Sequence, residues 1–446
     1  MIHKFKAKDL NIVLDVNSGG VHLVDDLTYD LLDHLEEPLA EECPEEAVKA
    51  LADKYTREQV EECYGEILEL YHDKVLFSGD PYAVYAETAI NSPIKAMCLH
   101  ISHDCNLRCK YCFASTGDFG TGRKLMPLET AKAAIDFLLE KSVGRENLEL
   151  DFFGGEPLMN FDVVKQTVAY ARSKEKEYGK HFRFTITTNG MLLDDDAIDF
   201  INKEMYNVVL SIDGRKEVND RMRVRADGTG SYDRIVRNFK KLVEKRGDKE
   251  WYVRGTYTKY NLDFSEDVFH LYEQGFDQIS VEPVVEDPKV EYAITEEDLD
   301  RICEEYDKLA DRLMELKKNG GFLNFFHFMI DLEQGPCVIK RLRGCGSGNE
   351  YVSITPDGNI LVTTAISLSD MRNTAWVILR KAPSMRRSRR NLRGHMFIPS
   401  HPARSAGQSF TAAVAVMQTT IFIMETFIRF MRCPARFRES VWKVQF

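Results

Sequence analysis

Cys105, Cys109 and Cys112 stand at C-x3-C-x2-C spacing directly after an apolar run, residues 96–101, that reads as a strand. This spacing puts three thiols into one strand-to-helix loop, where they can converge on a metal centre. Their number is the constraint. A structural zinc site normally takes four protein ligands, whereas an iron-sulfur cube held by three thiolates leaves one iron open. Zinc and inert buried thiols are the competing readings.

The chain has 446 residues, a formal charge of -12 and ten cysteines. That length accommodates two or three domains. Without an apolar run of eighteen residues or a signal-type apolar region at the N-terminus, a cytoplasmic protein with no membrane partner is expected. Ten cysteines in such a chain point to metal or redox chemistry rather than disulfides. The acidic balance argues against nucleic acid as a partner. The charge is uneven, however: residues 361–446 hold 14 Lys and Arg against 3 Asp and Glu, with no Tyr, while residues 1–360 hold 45 against 68.

Residues 1–82 read as a separate small domain. Two β-prone runs, 11–16 and 21–24, are joined by Asn17-Ser18-Gly19-Gly20, a hairpin signal. Helical patterns follow at 29–35, 44–55 and 57–71. Cys43 and Cys63 lie on or beside these helices and read as ordinary thiols. Residues 92–320 then alternate strand and helix, with strands expected at 96–102, 148–153, 182–188, 207–212, 252–258 and 278–283, and a closing helix over 295–318 that carries Cys303 in its core. Six such units predict an α/β fold of partial (β/α)6 TIM-type barrel form, with chemistry in the loops after the strands.

The remaining motifs fall in those loops. Gly154-Gly155-Glu156-Pro157 ends the second strand, where glycines allow close backbone approach and a carboxylate suits an ammonium group. Thr187 to Gly190 ends the third. Ser211 and Asp213 end the fourth, with hydroxyl and carboxylate for ribose or carboxylate binding, or for an Asx-type turn. Arg221, Arg223 and Arg225 follow, and one of them is expected to meet an anionic group. Glu282 closes the sixth strand at the pocket mouth. Asp104, Arg108 and Lys110 flank the cysteines.

The cysteine spacing, with Tyr111 before its last member and Gly-Gly-Glu-Pro one β/α unit later, resembles the radical S-adenosylmethionine (SAM) superfamily. The resemblance implies a [4Fe-4S] cluster on Cys105, Cys109 and Cys112, with SAM on the open iron. It places Gly154, Gly155 and Glu156 at the SAM amine, Ser211 and Asp213 at its ribose or carboxylate, and Phe113 beside the adenine. The catalytic acid or base stays unassigned. A hairpin followed by three helices resembles the winged-helix-like recognition element of enzymes that modify ribosomally made peptides. It implies a leader peptide bound as an added strand.

Past residue 320, Cys337 and Cys345 precede a hairpin centred on Pro356-Asp357-Gly358. This resembles the opening of a SPASM domain over 321–362 and implies auxiliary [4Fe-4S] clusters with Cys345 and Cys337 as ligands. The SPASM pattern wants cysteine at position 363, where this chain has Thr. A shifted reading of the codons after about residue 363 permits cysteines at the junctions before Ala403, Ala406, Ala412 and Val416, which is C-x2-C-x5-C-x3-C. Residues 363–446 are therefore expected to be a frameshifted tail, with auxiliary clusters only in the restored frame.

Together these features are most similar to the SPASM peptide maturases that install thioether cross-links in cysteine-rich SCIFF precursor peptides. A flavodoxin- or ferredoxin-type electron donor is implied. Sulfatase maturation (formylglycine formation), quinohemoprotein-type cross-linking, and a catalytically impaired peptide-binding protein are the alternatives.

Overall fold

A computed structural model describes residues 2–7, 10–80, 92–329 and 348–361. Cys337, Cys345 and the stretch 363–446 lie outside the described residues. The described residues divide into two compact units, of which one contains residues 2–7, 10–80 and 296–329 and the other residues 92–295 and 348–361.

In the first unit, β1 (Ile2–Ala7), β2 (Leu10–Asp15) and β3 (Val21–Val24) form an antiparallel sheet in the order β1-β2-β3. The turn between β2 and β3 is tied by Asp15, whose carboxylate accepts from the Asn17, Ser18 and Ser78 amides at 3.0, 2.7 and 2.8 Å. Helices α1 (Asp26–Leu31), α2 (Glu45–Leu51) and α3 (Arg57–His72) follow. Thr56 and Gln59 make a capping box at the start of α3, and Val60, Tyr64 and Ile67 of α3 pack on Leu31, Ala47 and Leu51. The strand β1 is an element that the sequence reading did not anticipate. The same unit holds the long helix Leu299–Lys318 and the short strand β11 (Asn324–Phe325). Cys303 is only half-buried in that helix rather than in its core.

The second unit is the α/β barrel. Strands β4 (Ala96–His103), β6 (Asn147–Gly154), β7 (His181–Thr188), β8 (Asn207–Ser211), β9 (Glu250–Tyr257) and β10 (Gln278–Pro283) lie parallel in the order β10-β9-β8-β7-β6-β4. A two-residue strand β5 (Lys124–Leu125) pairs antiparallel to β4. All six expected strands are present within a few residues. Along β6, Leu148, Leu150 and Phe152 are fully buried, while Asp151 and Phe153 on the opposite face are partly open. The first set packs under the crossover helices and the second lines the inner wall, as the two-residue side-chain period requires.

The Pro-Asp-Gly hairpin forms as expected, with β12 (Tyr351–Ile354) and β13 (Ile360–Leu361) paired antiparallel. Tyr351–Ile354 runs parallel to β4, extending the barrel sheet beside Ala96–Leu99. Side chains reinforce the pairing: Arg145 reaches Glu350 at 2.5 Å, and Lys124 reaches Asp357 at 2.6 Å. Pairing between segments 250 residues apart leaves no trace in a local pattern.

Arg246 ties the floor of the barrel. It is buried, and its guanidinium donates to the carbonyls of Met205, Tyr206 and Glu250 at 3.0, 3.0 and 2.8 Å, and to Ile201 at 3.3 Å. Replacing it with methionine leaves those acceptors without their donors, and the variant is expected to lose about 2–4 kcal/mol. Chemical denaturation measures this; an unchanged midpoint would show that water replaces the guanidinium at no cost.

Candidate functional site

The cysteine loop leaves the end of β4 and is held on both sides. On one side, a register shift between His100 and Ser102 bulges β4 where it pairs with β6. There the Gly155 amide donates to the Ser102 carbonyl at 2.7 Å and the Glu156 amide to the Asp104 carbonyl at 2.9 Å. A Cβ on Gly154 would stand 2.2 Å from the Ser102 oxygen, and one on Gly155 2.2 Å from the Asp104 oxygen. The glycines are thus required by contact between two backbones of this chain, whereas the sequence reading gave them to a ligand. Gly117, at φ +100°, makes a third such contact, since its Cβ would meet that of Cys105 at 2.6 Å.

On the other side, the segment after β8 straps the loop. The Arg108 amide donates to the Val224 carbonyl at 2.7 Å and the Lys110 amide to the Met222 carbonyl at 3.0 Å, with Leu107 and Arg225 bridged antiparallel. Side chains continue the strap. Tyr111 donates to both oxygens of Asp213 at 2.7 and 2.6 Å, and Arg223 donates to the Tyr111 hydroxyl at 2.9 Å. The Arg223 guanidinium stands 3.6 Å from the Asp213 carboxylate.

These contacts revise several expectations. Asp213 is fully buried and also accepts from the Thr256 amide at 3.1 Å. Its carboxylate is committed beneath the cysteine loop, not turned towards a ribose. Strand β8 ends at Ser211, so the alternation that would put Ser211 and Asp213 on one face has already stopped; Ser211 stays half-open on the inner wall. Glu156 is likewise buried, accepting from Leu158 and Asn189 amides at 3.1 and 2.8 Å and from the Thr188 hydroxyl at 2.8 Å. Its carboxyl ties two strand ends together, and burial lifts its pKa to about 7. Of the three arginines, Arg221 lies over the Tyr260 ring at 3.4 Å, Arg225 is exposed with its amide bonded to the Thr229 carbonyl, and Arg223 is buried.

Around the thiols, the Leu107 amide and the Asn189 Nδ2 approach the Cys105 sulfur at 3.4 and 3.5 Å. Asp104 accepts from the Cys105 amide at 2.8 Å and pairs with Arg123 at 3.3 Å, while Arg108 caps the Leu107 carbonyl at 2.7 Å. Lys110 is exposed. Burial pushes the Cys105 thiol up to about 12 and the Cys109 thiol up to about 11. The protein alone therefore keeps these sulfurs protonated, and a positively charged metal centre is needed to make them thiolates. Among the described residues, no three His, Cys, Asp or Glu side chains converge on a point as the ligands of one ion do.

Aromatic rings surround the loop. Phe113 is 58% exposed and lies nearly parallel to Phe153, with centroids 6.3 Å apart. His100 and His103 stack on Phe119 at 4.6 and 4.5 Å. Burial lowers the two imidazoles to about 3 and about 4, so both are neutral at pH 7. Thr121 donates to the Asp118 carbonyl at 2.9 Å and so accepts from His103 Nδ1 at 2.7 Å. His103 Nε2 is then the acceptor for His100 Nδ1 at 3.1 Å, leaving His100 Nε2 a bare acceptor.

The comparisons agree with this geometry. Residues 99–258 match the sequence model of the Radical SAM superfamily. This segment is a radical SAM domain. An uncharacterised protein of Methanocaldococcus jannaschii is 29% identical over 221 residues, covering 49% of this chain and 71% of that one. The radical SAM cyclopropyl synthase TigE of Paramaledivibacter caminithermalis is 27% identical over 40% of this chain and 37% of its own length. A cysteine-type anaerobic sulfatase-maturating enzyme of Clostridium novyi is 32% identical over 32% of this chain and 38% of its own length. The match thus spans well under half of these two enzymes. Among solved structures, native anSMEcpe with bound AdoMet superposes with TM-score 0.54 at 18% identity, over 65% of this chain and 79% of that one. The same protein with AdoMet and the Cp18Cys peptide gives 0.53 at 18% identity over 67% and 80%. At that identity the likeness speaks for the barrel fold.

Sequence reasoning did not single out Asn189, His100, His103 or Asp151, and could not choose Arg223 from its neighbours. The His-x2-His-x-Cys order was the available signal for the histidines. Nothing local distinguishes a buried arginine from an exposed one two residues away.

Two outcomes follow from this arrangement. Gly155→Ala drives a methyl into the Asp104 carbonyl and is expected to abolish iron-sulfur loading while leaving the far end of the barrel folded. Iron content with circular dichroism measures this; full loading would mean that the contact yields. Asp151, whose carboxyl accepts from Tyr351 at 3.1 Å, is lifted by burial from 3.8 to about 6. A raised acid pKa stabilises the fold below the unfolded value and loses that contribution as pH rises through the folded one. Between pH of about 4 and about 6 the wild type should therefore lose about 1–3 kcal/mol relative to Asp151→Asn. Parallel stability curves for the two proteins would contradict the assignment.

Proposed function

We propose that this chain is a radical SAM peptide maturase that cleaves SAM reductively and installs thioether cross-links in a ribosomally made, cysteine-rich precursor peptide. One observation carries the reading: three thiols on a loop locked between two backbone straps, with amide N–H donors on one sulfur. When bound, the cluster and SAM supply one-electron cleavage of a sulfur-carbon bond and hydrogen abstraction from the peptide. Cys105, Cys109 and Cys112 hold the cluster. Gly154, Gly155 and Glu156 fix the shelf beside it, where backbone rather than the Glu156 carboxylate meets the SAM amine. Ser211 bonds the ribose, and Phe113 with Phe153 offers a flat apolar face to the adenine.

The peptide reading rests on similarity to a sulfatase-maturating enzyme and on the N-terminal sheet. Its strand β3 is an edge, with Val21 39% and Leu23 69% exposed, a form suited to receiving an added strand. A flavodoxin- or ferredoxin-type donor supplies the electron, and Cys345 and Cys337 serve auxiliary clusters in the restored frame. Thr363, where the pattern has cysteine, favours a second reading for the chain as written: SAM cleavage uncoupled from peptide modification.

Anaerobic reconstitution with iron and sulfide, followed by reduction in the presence of SAM, tests the reading. It predicts about four irons per chain and release of 5'-deoxyadenosine and methionine, both lost in the Cys105→Ala, Cys109→Ala, Cys112→Ala triple variant. Zinc in place of iron, or no cleavage by a fully loaded protein, would refute it.

A further inference from the structure

The strap across the cysteine loop contains more than backbone. Arg223 lies within it as a buried guanidinium whose Nε has no hydrogen-bond partner among the described residues. The Lys110 amide bonds the Met222 carbonyl, so Arg223 runs alongside Cys109. Asp213 sits on the other side of the Tyr111 hydroxyl, fully buried, and Tyr111 itself lies between Cys109 and Cys112. One cation and one anion are therefore fixed behind the cluster loop by a single phenol, away from bulk water, where Coulombic interactions are least attenuated.

Resting on the cluster assignment above, we propose that Arg223 and Asp213 are an opposed pair of positioning residues that set the reduction potential of the cluster through Tyr111. Arg223 favours the reduced, more negative cluster, and Asp213 moderates it. Uptake of one electron adds one negative charge next to the pair, so a nearby cation raises the potential and a nearby anion lowers it. The Tyr111 hydroxyl, accepting from Arg223 and donating to Asp213, bridges the two charges, whose own ion pair stands at 3.6 Å, beyond hydrogen-bond distance. The outer face of the strap stays with other partners: Arg221 lies on Tyr260, and Arg215 pairs with Asp263 and Asp267 at 2.9 and 2.8 Å. Arg215 is neutralised by its two carboxylates and Arg221 is committed to an aromatic face, which leaves Arg223 and Asp213 as the charges bound to the loop's own tyrosine.

The test is a reductive titration of the full chain, anaerobically reconstituted and without SAM, followed by electron paramagnetic resonance, with iron and sulfide measured on every sample. Arg223→Met should make reduction at least tenfold harder, a fall of about 59 mV for one electron. Arg223→Lys should restore most of the difference. Asp213→Asn should shift the potential in the opposite direction. A scaffold-only role would move both loaded variants the same way, and would overturn the proposal. So would a fully loaded Arg223→Met at the wild-type potential. If Arg223→Met takes up no cluster, the sign of the Asp213→Asn shift decides alone: a rise supports the proposal and no rise overturns it. Failure of the wild type to bind iron would instead refute the cluster assignment.

Discussion

The backbone of Gly154 and Gly155 lies against that of Ser102 to Asp104 at a distance that no side chain permits, and the rest of the site depends on this contact. A Cβ at either glycine would stand 2.2 Å from a carbonyl oxygen, well inside van der Waals contact. Because these atoms are absent, β6 can run hard against the bulge in β4, and the two amides after it can bond the Ser102 and Asp104 carbonyls. The start of the cysteine loop is fixed by those bonds. Its far end is fixed by the strap from β8, so three thiols are presented from a loop with little freedom to relax. Preorganisation of this kind removes the ordering cost from cofactor binding.

Burial then sets the electrostatics. Cys105 and Cys109 are pushed upward, Glu156 towards neutrality and the two histidines far below neutral pH, all by desolvation. A dry site penalises every isolated charge. The charges it retains are those with dedicated partners, and Arg223 with Asp213 about Tyr111 is the example next to the thiols. Hydrogen bonds from Asn189 and Leu107 to the Cys105 sulfur belong to the same scheme, since donors to sulfur stabilise added negative charge.

Much of the barrel was legible in the sequence. The six parallel strands announce themselves because each is a short apolar run of fixed length bounded by turn residues and followed by a helical period. The cysteine loop is equally local. What was not legible is whatever depends on tertiary pairing or on the direction of a single side chain. The hairpin at Tyr351 was readable as a hairpin but not as a neighbour of Ala96. Asp213 was readable as a polar residue at a strand end, but the strand stops two residues early and the carboxylate turns inward. Glu156 was readable as a carboxylate near the loop, yet its oxygens are taken by Leu158, Thr188 and Asn189. The two glycines were readable as a close approach, and only the structure shows that the partner is the chain itself. At the N-terminus, β1 escaped notice because Ile2–Ala7 carries two lysines and a histidine among six residues, and pairing with β2 rather than propensity makes it a strand.

Everything proposed for the site depends on Cys105, Cys109 and Cys112 holding a cluster with one iron open to SAM. Electron paramagnetic resonance of the reduced, iron-loaded protein with and without SAM tests it most directly. The expected result is a low-temperature half-integer-spin signal whose shape changes when SAM is added, because the added ligand binds iron itself. A signal indifferent to saturating SAM, or a protein that holds zinc and gives no signal, would contradict it.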